Sequence, residues 1–106
     1  MAVVGNLEDF PEGKARAVQV DGHAVCVVRI GERVYAVDDV CSHAHYRLSE
    51  GEVYAEELEI ECWKHGSTFS LLDGRPQSLP ATRPIGIHAV RVRDDGTVEV
   101  ELGAGR

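Results

Sequence analysis

Cysteine and histidine fall twice into paired spacing along this chain. Cys41-Ser42-His43 places a thiol two residues before an imidazole, and Cys62-Trp63-Lys64-His65 places one three residues before. Eighteen residues, Ala44 to Glu61, separate the pairs. Thiolate and neutral imidazole both ligate transition metals, and two loops each offering one of each can converge on a single centre. Zinc, which takes tetrahedral sulfur and nitrogen ligands, is one reading of that donor set. Zinc sites more often draw both cysteines from one knuckle and both histidines from another stretch. Mixed pairs on two loops suit a binuclear centre better.

The loops need strands to hold them. Short apolar runs separated by turn signals every eight to twelve residues or so read as an all-β sandwich or barrel. Asp21-Gly22 divides Ala15–Val20 from Ala24–Ile30, and Gly31-Glu32 divides that run from Arg33–Val37. Asp73-Gly74 and Asp95-Gly96 repeat the turn signal. Val98, Val100 and Leu102 alternate with Thr97, Glu99 and Glu101, predicting one buried and one wet face at period two. Val90 and Val92 alternate with Arg91 and Arg93, so Arg and Glu on neighbouring strands can pair. Leu58 and Ile60 alternate with Glu57, Glu59 and Glu61 in the same way. Each ligand pair therefore follows a predicted strand, Val34–Val37 for the first and Leu58–Glu61 for the second. Nothing reads as a long helix; Leu7–Gly13, with Asn6 as N-cap, allows one short turn before Pro11 and Gly13 stop it. Ser78 to Pro84, with prolines at 80 and 84, reads as a stiff loop.

Length and charge bound what such a site can serve. One hundred and six residues make one domain, spanning 1–106, with a single small core. Eleven Lys and Arg against 18 Asp and Glu give −7, the wrong sign for displacing phosphate counterions or docking on an anionic membrane. No apolar run approaches the ~20 residues of a membrane span, and Met1 to Leu7 has no basic or apolar leader character, so the expected location is the cytoplasm. Three cysteines are too few and odd in number for a disulfide scaffold. Cys26, on one strand face with Val28 and Ile30, reads as core packing.

Cys41-x-His43 followed by Cys62-x-x-His65-Gly66 resembles the Rieske iron–sulfur family, and the likeness covers nearly the whole chain. The resemblance implies an antiparallel β-sandwich or barrel with a small cluster-binding subdomain inserted between strands, its loops within about 40–85. It implies one [2Fe–2S] cluster, with Cys41 and Cys62 on one iron and His43 and His65 on the other. In that ligation two ferric ions and two sulfides leave two positive charges, which two thiolates cancel. Four thiolates would leave the cluster negative and resistant to a further electron, so the mixed set raises the potential, to roughly −150 to +300 mV. Reduction adds negative charge beside the histidines and raises their pKa. His45 as a ligand would turn the first pair into Cys-x-x-x-His, which the family does not use, so it reads as a loop histidine. His23, at a turn, and His88, in a strand, read as ordinary surface residues.

Departures from the family place this chain within that range. Respiratory members tie their cluster loops with a disulfide; the matching positions here are Tyr46 and Lys64. Those members also donate hydrogen bonds to sulfur from a Ser and a Tyr, whereas this chain keeps Ser67 but has Phe69. A midpoint in the lower half of the range is expected. Leu79 to Pro84 looks like the proline loop that covers the cluster in such ferredoxins, and Trp63 would shield the same site.

No nucleophile elbow, phosphate-cradling loop or dinucleotide fingerprint is present, so the chain is expected to carry electrons rather than to be an enzyme. The resemblance implies a ferredoxin taking electrons from a flavin-containing reductase to a terminal non-haem iron oxygenase, acting as a monomer. Other readings are the small subunit of a nitrite-reductase-like complex, a redox component of iron–sulfur assembly, or a zinc-stabilised interaction module. Glu50, Glu52, Glu56, Glu57, Glu59 and Glu61, with no basic residue among them, are either solvated strand faces or an acidic rim that steers a basic partner.

Overall fold

Two-residue turns at Asp21-Gly22 and Gly31-Glu32 fold the chain into antiparallel hairpins, with Val20 opposite His23 and Ile30 opposite Arg33. The computed structural model describes residues 2–40, 46–63, 66–77 and 84–103. Its strands are β1 (Ala2–Asn6), β2 (Ala15–Val20), β3 (His23–Ile30), β4 (Arg33–Asp38), β5 (Val53–Tyr54), β6 (Glu59–Glu61), β7 (Thr68–Ser70), β8 (Ile87–Val92) and β9 (Thr97–Glu101). A six-stranded sheet runs β1-β9-β8-β4-β3-β2, and its edge strands β1 and β2 approach one another, giving a barrel-like curl. A three-stranded sheet, β5-β6-β7, is inserted between β4 and β8. The expected all-β architecture with an inserted subdomain is the one observed.

Strand alternation sorts the interior into two cores. Val25, Val27 and Ala36 face one, closed by Phe10, Val98 and Val100. Cys26, Val28 and Val37 point the opposite way and pack with Ile60, Phe69 and Leu71 of the inserted region. Strands β3 and β4 are thus buried on both faces, which explains the unbroken Val25–Val28 run. Cys26 is a fully buried core residue as expected, and burial, reinforced by the charge of Asp39, pushes its thiol pKa up.

Three local expectations need correction. Leu58 is not in a strand: it turns with φ 55, and β6 starts at Glu59. Strands β1, β5 and β7 carry no alternation long enough to announce them. Glu99 is not on a wet face but 6% exposed, because both its oxygens accept hydrogen bonds from Arg93, at 2.8 and 3.0 Å. His88 is no surface residue. Its ring accepts the Gly103 N–H at Nδ1 (2.9 Å), which leaves the proton on Nε2 to donate to Asp38 Oδ1 (2.9 Å). The short turn near the N-terminus is present over Leu7–Asp9, and the Asn6 side chain accepts the Glu8 N–H.

Candidate metal centre

The first ligand loop leaves the end of β4 and returns at a fixed point. Val40 and Arg47 form an antiparallel bridge that pins the loop at its neck. Beside them Asp39 is wholly buried, and its backbone N–H donates to Ala24 on β3 (3.2 Å). Its carbonyl accepts the Leu48 N–H (2.6 Å) and its carboxylate the Ser49 N–H (2.8 Å). Arg47 Nη1 adds an ion pair at 3.4 Å. The main chain on both sides of residues 41–45 is thereby held. Cys41, His43 and His45 themselves lie outside the described residues.

The second loop is the connection of the β6–β7 hairpin, whose last pair is Glu61 with Thr68. The Cys62 N–H donates to the Ser67 carbonyl (2.7 Å), and the Gly66 N–H returns to the Cys62 carbonyl (2.9 Å). Gly66 has φ 75, a left-handed conformation that a side chain would strain, so the Gly after His65 has a backbone reason. Cys62 and Ser67 are fully buried. Of the four predicted ligands Cys62 is the one described; His65 and Lys64 lie outside the described residues, as do residues 78–83 of the predicted proline loop.

The two loops meet. The Tyr46 ring, at the exit of the first, stands edge-on to Trp63 of the second, with centroids 5.2 Å apart and planes at 79°. Leu48, just beyond the first loop, and Ile85, just beyond residues 78–84, share one core with Cys62. Leu48, Cys62 and Ile85 thus bring three chain segments into one core. The aromatic contact of Tyr46 with Trp63 spans the two loops.

Phe69 packs in that core with no hydroxyl to offer, whereas buried Ser67 keeps one. Four of the six glutamates, Glu50, Glu52, Glu56 and Glu57, are exposed, while Glu59 and Glu61 are half-buried. Glu61 accepts a hydrogen bond from the Tyr54 hydroxyl (2.8 Å), which raises the Tyr54 pKa. Sequence reasoning missed Asp39. The signal available was a carboxylate two residues before a predicted ligand, just past the end of β4.

Among the described residues no three His, Cys, Asp or Glu side chains gather into a metal site, so the paired motifs remain the candidate centre. Their donor set fits a binuclear iron–sulfur group. Two cysteines can neutralise the ferric cluster, and the one in view sits in a loop closed by its own backbone hydrogen bonds.

Comparison with known proteins points the same way. A model of the Rieske [2Fe-2S] domain family matches residues 1–97. The anthranilate 1,2-dioxygenase ferredoxin subunit of Burkholderia cepacia is 36% identical over 100 residues, which span 94% of this chain and 90% of that protein. The ferredoxin of carbazole 1,9a-dioxygenase from Nocardioides aromaticivorans IC177 superposes with a TM-score of 0.90 at 38% identity, covering 93% of this chain and 94% of that one. A chain from a complex of reduced oxygenase and oxidized ferredoxin in carbazole 1,9a-dioxygenase superposes at 0.85 with 36% identity, covering 95% and 91%.

Proposed function

The chain belongs to the Rieske [2Fe-2S] family, and from that premise we propose that Cys41 and Cys62 hold one iron of the cluster and His43 and His65 the other. The protein carries a single cluster of this kind and is the ferredoxin component of a ring-hydroxylating dioxygenase system, an electron carrier and not the catalytic enzyme. The observation that carries this is the near-full-length likeness to ferredoxins of such systems.

When bound, such a cluster takes up and passes on one electron at a time. The polypeptide's part is to hold its ligands still and dry. Cys62 projects from a hairpin closed at Glu61–Thr68, and the first loop is closed by Val40–Arg47. Phe69, Ile60 and Leu48, all fully buried, pack in one core with Cys62 and keep water from it. Trp63, 47% exposed, follows Cys62 and is braced on Tyr46.

The partners follow from the same reading. A terminal oxygenase receives the electron, as the complex formed by the carbazole dioxygenase relative supports. A flavin-containing reductase supplies it, and the ferredoxin acts as a monomer in the cytoplasm. The test is reconstitution. The purified protein should pass electrons from a flavin reductase to a ring-hydroxylating oxygenase, with product formed in proportion to ferredoxin. Turnover with a nitrite reductase and none with an oxygenase would overturn the assignment.

A further inference from the structure

The Asp39 carboxylate is wholly buried within the core, yet no part of the ligand set requires an acid there. Its acceptor atoms bind the chain just beyond the first loop: the carbonyl takes Leu48 N–H, Oδ1 takes Ser49 N–H at 2.8 Å, and Oδ2 faces Arg47. Its own N–H is fixed to Ala24 on β3. One residue thus ties both ends of the 41–45 segment to the sheet. Asp39 lies two positions before Cys41 in the chain. A charge in a low-dielectric interior is poorly screened from its near neighbours. Arg47, its ion-pair partner, is 53% exposed at the side chain and so offsets that charge only in part.

We propose that Asp39 is a positioning residue for the first ligand loop, and that its buried negative charge also lowers the reduction potential of the cluster. The proposal rests on the reading of Cys41 and His43 as ligands. It distinguishes two effects that one side chain exerts through separate properties. Shape and hydrogen bonding hold the loop; charge opposes arrival of an electron.

Asp39→Asn keeps the size and an oxygen for the Ser49 N–H while removing the charge. Arg47→Ala leaves the carboxylate less compensated. Both holoproteins, with wild type, are titrated with redox mediators at pH 8, and iron content and the electron paramagnetic resonance spectrum are recorded. Asp39→Asn is expected to favour reduction about tenfold, an upward shift of ~59 mV for one electron. Arg47→Ala is expected to shift it downward by less. Shifts of the same sign, as loop distortion alone would give, or an unshifted Asp39→Asn with full iron content, would overturn the proposal. Should Asp39→Asn fail to retain iron, Arg47→Ala decides: a downward shift supports the proposal, and none overturns it. Wild type devoid of iron after anaerobic reconstitution would instead overturn the ligand assignment, a separate result.

Discussion

The contact between Tyr46 and Trp63 should hold the two ligand loops together, and its contribution can be isolated. The rings meet edge to face at 5.2 Å and 79°, a geometry that contributes about 0.5–1.5 kcal/mol beyond buried area. Trp63 is 47% exposed, which favours the lower part of that interval. The perturbation is a double-mutant cycle with Tyr46→Leu, Trp63→Leu and the pair. Because a bound cluster breaks simple two-state unfolding, the readout is the rate at which visible absorbance is lost in guanidinium. Each single substitution should speed cluster loss. The pair should be slower than the product of the single effects by roughly 2- to 12-fold, the rate equivalent of that coupling energy. Multiplicative effects, with no coupling, would refute the idea that this contact joins the loops.

Other outcomes rest on single residues. His88→Ala removes the acceptor for Gly103 and the donor to Asp38, and should destabilise the fold by about 1–3 kcal/mol, read from faster loss of visible absorbance in guanidinium. Cys26, whose pKa is raised by burial and then by Asp39, should resist iodoacetamide at pH 8 in the native protein and react once unfolded; labelling of the native protein would contradict its place in the core. If Glu50, Glu52, Glu56 and Glu57 steer a basic partner, raising ionic strength should slow electron delivery to the oxygenase, as stopped-flow absorbance can show. A rate independent of salt would assign these residues to plain solvation.

The candidate metal centre was legible because its signal is local: residue types and short spacings, Cys41-x-His43 and Cys62-x-x-His65-Gly66; in the structure Gly66 turns with φ 75. The hairpins β2–β3, β3–β4 and β8–β9 were equally plain, since each joins two runs across a turn signal. What escaped depends on contacts that exist only in the folded chain. His88 looks like a solvent-facing strand residue until Asp38, fifty positions earlier, and Gly103 capture both its nitrogens. Glu99 reads as wet until Arg93 folds across it. Asp39 has no visible purpose until loop closure brings Arg47, Leu48 and Ser49 back to it. Strand β1 is recruited by β9 from the other end of the chain, a tertiary pairing that no local propensity encodes.

The central claim is that two cysteines and two histidines of this chain hold one electron-carrying [2Fe–2S] cluster. Its most direct test is the electron paramagnetic resonance spectrum of the dithionite-reduced protein. The expected result is one unpaired electron per two irons, with an average g below that of an all-thiolate cluster because histidine nitrogens ligate one iron. A colourless, silent protein containing zinc, or an all-thiolate signal, would contradict it.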